Sequence, residues 1–154
     1  MSRFCPRTPV RGFTLVEIAL VVAITVILAL VAFPMYQSRA DKAKETQAIA
    51  DIREIELAVE QYRAATHGAP ASLADVGKDA LLDPWGRAYR YLLHADSNAA
   101  QQRQDTASKP VNSEYDLYSV GKDGLTSAAL SHANSRDDVV RAKDGSYVGL
   151  ASAY

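Results

Sequence analysis

Cysteine is almost missing from this 154-residue chain: the single copy, Cys5, lies among the first twelve residues. Beyond it no internal disulfide can form, so the C-terminal part must be held by packing, hydrogen bonds or an ion. The marks of catalysis are missing too. Three histidines, His67, His94 and His132, stand apart without metal-ligand spacing. No glycine-rich phosphate loop, nucleophile motif or EF-hand loop accompanies them. Each histidine reads as a surface or loop residue, and the chain reads as a non-enzyme. Trp85 and the eight tyrosines read as core and strand packing. With 17 Lys+Arg against 18 Asp+Glu there is no basic excess, which argues against a nucleic-acid partner. No internal repeat is present.

Charge is missing over one long stretch. From Phe13 to Phe33 the only charged residue is Glu17. Roughly 20 apolar residues in a helix match a bilayer core of about 30 Å. The run is too long for a secretory signal, and MYQSRADKAKE follows it without a cleavage site. Arg3, Arg7 and Arg11 precede it, which places the N-terminus in the cytoplasm and the remainder across the membrane. A carboxylate inside hydrocarbon costs about 2.5–3.5 kcal/mol at the helix centre, and less near an end. A plain anchor leaves Glu17 unexplained. Cleavage after Gly12 would give Phe13 a free α-amine, four residues before Glu17 or beside the Glu17 of a neighbouring helix. Glycine suits such a site because it unwinds at little steric cost.

RGFTLVEIALVVAITVILALVAFP (Arg11–Pro34) resembles the N-terminal signature of type IV pilins and type II secretion pseudopilins. The resemblance implies that a prepilin peptidase cuts after Gly12 and that Phe13 is N-methylated. It implies that Glu17 meets the adjacent subunit's amine, and that Pro34 bends the helix. Pro34 has no N–H for the Leu30 carbonyl, so a kink or melted turn is expected there. The implied organisation is a leader at 1–12, a transmembrane and polymerisation helix at 13–36, and a periplasmic domain at 37–154. Loss of the leader removes three arginines, leaving 14 basic against 18 acidic side chains, a net of −4.

Past the membrane Ile49, Ile52, Ile55, Val59 and Tyr62 recur at helical spacing. Arg53, Glu56, Glu60 and Arg63 alternate in sign on a face expected to be exposed. Gly68 and Pro70 stop the helix, so one helix is expected from Phe13 to about Thr66. Two helices with a hinge near residues 34–42 are the alternative. SLADVGKDAL predicts a short helix from Ser72. Asp83-Pro-Trp-Gly86 fits a type I turn. Strands are expected in Arg87–His94, Glu114–Gly121 and Gly145–Leu150. The polar stretch 95–112 reads as a surface loop with little structure. The expected class is α+β and type IV pilin-like: a long N-terminal helix, half membrane span and half amphipathic, packed on a small antiparallel sheet with an irregular C-terminal loop region.

DPWG followed by a strand and then DLYSVGKDG is similar to the major, G-type pseudopilin family of type II secretion. That resemblance implies calcium, held by Asp123, Asp137 and Asp138 with carbonyls near Leu117 and Ser119. Calcium takes six to eight oxygen ligands, so three carboxylates and main-chain carbonyls suit it. The spacing departs from the pattern: Gly124–Arg136, thirteen residues, separate Asp123 from the acidic pair. KDG is also an ordinary turn, and RDDV also suits a helix cap or a solvent-facing segment.

The function implied is a structural subunit of a type II secretion pseudopilus, a homo-oligomeric helical filament driving protein export. Its implied partners are other minor pseudopilins, prepilin peptidase and the inner-membrane secretion platform. A type IV pilin of a surface fibre, for adhesion, motility or DNA uptake, is the alternative. It would normally bring a disulfide-closed C-terminal loop, which this chain cannot form. A third class, an anchored periplasmic binding or catalytic domain, gives Glu17 no purpose.

Overall fold

The computed structural model describes residues 12–154. Arg3, Arg7, Arg11, Cys5 and most of the expected leader lie outside the described residues. The chain divides into two compact units between Ala40 and Asp41.

Helix α1 runs over Leu15–Thr66, 52 residues, without interruption at Pro34. The proline removes one N–H from the helical ladder but does not end it, so the two-helix alternative and a melted turn at Pro34 are both overturned. The C-terminal stop falls where Gly68 and Pro70 place it. His67 takes φ 59° and donates its N–H to the Arg63 carbonyl at 2.8 Å, so a histidine fills the left-handed cap usually given to glycine.

In the second unit α1 is followed by a 3-10 turn, Leu73–Val76, with Ser72 at its N-cap. Four strands come next: β1 Arg90–Leu93, β2 Tyr115–Ser119, β3 Val139–Ala142 and β4 Tyr147–Leu150. They form one antiparallel meander in the order β1-β2-β3-β4. Arg90 pairs with Tyr118, Ser119 with Val139, and Val139 with Leu150. β3 is the strand the sequence conceals. It is four residues long and buried throughout, so it lacks the alternation that marks a half-exposed strand.

The sheet is covered on both faces. Residues Ala48, Ile52, Ile55 and Val59 of α1 pack with Tyr89, Tyr115, Leu117 and Val139 on one side. Val140 and Ala142 point the other way, into a second cluster with Val111, Leu130 and Ala151. Strand alternation fixes this split: in β2 and β3, odd positions meet the helix and even positions meet the loops. The second cluster corrects the reading of 95–112 as weakly structured. Val111, Asn112 and Arg103 are buried, and Gln104 bridges to both Pro110 and Ala129.

Two further expectations change. Glu56 is not simply on an exposed face: its Oε1 accepts from Arg141 Nε at 2.8 Å, and both side chains are largely buried. His94 is not a surface residue, since its side chain is 9 % exposed beside the fully buried Asp116.

Candidate functional site

In the first unit Gly12, Phe13 and Thr14 precede the helix and are exposed, as a processing site requires. Thr14 caps the helix. Glu17 Oε2 accepts from the Thr14 N–H and hydroxyl, both at 2.9 Å, while the Thr14 oxygen accepts from the Glu17 N–H at 3.2 Å. This is a capping box, with two end donors satisfied reciprocally. Glu17 therefore has an intramolecular partner as the chain stands, in addition to the intermolecular one the sequence points to. Thr14 is the residue that sequence reasoning misses, although Thr-x-x-Glu before an apolar run is its signature.

Below the cap the helix presents bare apolar surface. Leu20, Val21, Ile24, Ile27, Leu28, Leu30, Val31 and Phe33 are each about half exposed or more. A soluble monomer rarely shows a contiguous apolar patch beyond a few hundred Å². The segment is long and apolar enough to cross a membrane.

In the second unit the residues expected to hold an ion are arranged around two arginines. Arg87 Nη1 donates to the Gly121 carbonyl at 2.7 Å, inside the SVGKDG segment. Gly121 sits at φ 64°, and a Cβ there would collide with the Asp137 carbonyl. Asp137 Oδ2 accepts from the Asp123 N–H at 2.9 Å, and Asp123 Oδ1 accepts from the Leu125 N–H at 2.7 Å. Both carboxylates thus fasten backbone turns. Asp138 is fully buried, and its Oδ2 accepts from Arg103 Nη2 at 2.5 Å and from the Thr126 hydroxyl at 2.6 Å. Burial pushes the Asp138 carboxyl up to about 6, against the opposing pull of the Thr126 hydroxyl and the Arg103 guanidinium. Leu117 and Ser119 lie in the β2 ladder opposite Tyr91 and Val139. The Ser119 hydroxyl donates to Asp83 at 2.6 Å, joining β2 to the DPWG turn. That turn closes as expected, with the Gly86 N–H donating to the Asp83 carbonyl at 2.8 Å.

Residues 7–33 match the family described as Prokaryotic N-terminal methylation motif. Type II secretion system core protein G of Pseudomonas aeruginosa is 32% identical over 134 residues, spanning 73% of this chain and 84% of the relative. The chain belongs to the type II secretion core protein G family. The core protein G of Escherichia coli is 28% identical over 135 residues, spanning 74% of this chain and 83% of that one. That of Vibrio cholerae is 27% identical over 153 residues, spanning 82% and 93% respectively. No solved structure matches the chain significantly.

As a core protein G, the chain is a membrane-anchored subunit with an N-terminal methylation motif and an α+β domain. The donor set expected for calcium does not fit an ion as it is arranged. Among the described residues, no three His, Cys, Asp or Glu side chains come together as a metal-holding group. The Asp138 oxygen nearest the loops is already on a guanidinium, and the Asp123 and Asp137 oxygens face N–H donors. Calcium needs six to eight oxygens aimed at one point.

Proposed function

We propose that the chain is a structural, non-catalytic subunit of a type II secretion pseudopilus, polymerising through its N-terminal helix to drive export of folded proteins. The observation that carries this is the similarity to core protein G over most of the chain, together with an apolar helix that carries one charge at its capped end. In this reading prepilin peptidase cuts between Gly12 and Phe13 and Phe13 is methylated. The helix sits in the inner membrane with residues 37–154 in the periplasm. The Phe13 amine of one subunit meets Glu17 of the next, and minor pseudopilins and the inner-membrane platform are the remaining partners. Cleavage and assembly would exchange the Thr14 cap on Glu17 for that amine.

The test is expression in a secretion-competent host lacking its own core protein G. Mass spectrometry is expected to find a chain starting at methylated Phe13, with export restored. Glu17→Ala is expected to insert and fold normally yet form at least roughly tenfold fewer cross-linked oligomers, the equivalent of about 1.4 kcal/mol at the contact. An uncut Met1 chain, or normal assembly of Glu17→Ala, would overturn the reading.

A further inference from the structure

Arg103 is the largest fully buried side chain among the described residues, and it comes from a stretch with no apolar pattern at all. A buried guanidinium is costly unless its donors are matched and its charge is paired. Here Nη1 donates to the Thr126 hydroxyl and to the Ser127 carbonyl, both at 2.5 Å, and Nη2 donates to Asp138 at 2.5 Å. The guanidinium carbon lies 4.4 Å from the centre of the Tyr118 ring, on the loop-facing side of β2. The Arg103 N–H donates to the buried Asp116 carboxylate at 2.7 Å, so backbone and side chain are each held by an acid of the sheet region.

The adjacent backbone carries the same connection. The Gln104 N–H donates to the Ala128 carbonyl at 2.8 Å, and the Leu130 N–H donates to the Gln104 carbonyl at 2.9 Å. The polar stretch 95–112 and the thirteen-residue insertion 124–136 are therefore laced to each other. Val111 and Leu130, one from each, meet in the second core cluster. Two segments that look weak separately form one layer over the sheet, with Arg103 at the point where both reach Asp138.

We propose that the Arg103 guanidinium is the cation that closes the C-terminal loops of this chain, taking the place a metal ion would otherwise fill, so that the domain is stable without calcium. An arginine suits the task because its planar fork offers several donors in fixed directions and stays charged. It also makes the insertion intelligible: residues 124–136 supply Thr126 and Ser127, the two neutral acceptors that Arg103 uses. A calcium ion brought to Asp138 would meet this guanidinium, and its ligands would have to be taken from Arg103.

The experiment uses the full chain in detergent, melted with calcium and with a chelator and followed by near-ultraviolet circular dichroism. The wild-type midpoint is expected to differ by less than about 1 °C between the two, as for a ligand present below its dissociation constant. Arg103→Met is expected to lower the midpoint by roughly 10 °C or more, because it strands a buried carboxylate. Arg103→Lys and Asp138→Asn, milder changes, keep the test available if that variant fails to fold. Combined, they are expected to lower the midpoint by clearly less than the sum of their separate shifts, the mark of a direct pair. A wild-type midpoint raised several degrees by calcium, with the response lost in Asp138→Asn, would overturn the proposal. So would additive shifts for Arg103→Lys and Asp138→Asn.

Discussion

The two units of this chain solve opposite problems with polar groups. In residues 13–36 one carboxylate sits in an apolar helix whose side chains face outward, and its hydrogen bonds are local, to Thr14 three residues away. In residues 41–154 polar groups are pulled inward and their partners are distant. Arg141 of β3 reaches Glu56 of α1 across 85 positions, and Tyr89 reaches Asp51 across 38. Local partners leave the first unit stable as a helix but with nothing covering its surface. Distant partners give the second unit its register. A substitution of one polar residue should therefore disturb assembly in the first unit and folding in the second.

The largest expected effect is at Arg141. Its Nε donates to Glu56 at 2.8 Å, its guanidinium lies 4.1 Å from the Tyr115 ring centre, and Nη1 donates to Asn112 at 3.2 Å. Arg141→Met leaves Glu56 without its buried partner, and removing one side of a buried pair costs about 3–5 kcal/mol. The midpoint of the second unit is expected to fall by roughly 10 °C or more. Infrared spectra of the oriented membrane helix should not change. A midpoint within a degree or two of wild type would mean that Arg141 is held mainly by packing.

Tyr89→Phe probes the same logic at smaller scale. The hydroxyl donates to Asp51 Oδ2 at 2.8 Å, while Gln47 donates to Oδ1 at 2.7 Å. Burial raises the Tyr89 phenol well above its ordinary range, and the neighbouring Asp51 carboxylate adds to the rise, so the hydroxyl keeps its proton as a donor. A hydrogen bond to a charged group is worth about 1.5–3 kcal/mol, and the lost midpoint should be several degrees. Asp51→Asn combined with Tyr89→Phe should cost less than the two separately, because the stranded charge is gone. Additive losses would place the two residues in separate interactions.

This contrast also explains what could be read from the sequence. The membrane segment is legible because its information is linear: a run of length, a single charge, a glycine before it. The stripe Ile52, Ile55, Val59 and the helix stop at Thr66 are legible for the same reason. The buried polar residues are not. Nothing local distinguishes Arg103 in QQRQD, which closes the loop layer, from Arg90, which is exposed. Asp51 and Glu56 look like any charged helix residues until the sheet brings Tyr89 and Arg141 to them. β3 escapes notice because burial on both faces erases its alternation, and because the acids before it draw attention as ligands. Asp123, Asp137 and Asp138 match a pattern in order, but order does not reveal that two of them fasten turns and the third meets an arginine.

The smallest expected effect returns to the first unit and asks whether its one polar contact is truly local. Thr14→Ala removes the hydroxyl that bonds Glu17 Oε2 at 2.9 Å and accepts the Glu17 N–H at 3.2 Å. An N-cap threonine is worth about 1 kcal/mol, which corresponds to roughly fivefold more frequent opening of the first turn. Amide exchange of the uncut chain in detergent should quicken by that factor at Val16 and Glu17, with Thr14→Ser restoring protection. Residues beyond the first turn should be unaffected, since capping influence fades within it. The midpoint of the second unit should not move, whereas Tyr89→Phe, a comparable loss of one hydroxyl, moves it by degrees. If Thr14→Ala lowered that midpoint, the two units would share stability across the Ala40–Asp41 boundary and the division between local and distant partners would fail. If exchange were unchanged, the remaining bond from the Thr14 N–H to Glu17 would be the whole of the cap, and the carboxylate alone would hold the start of the helix.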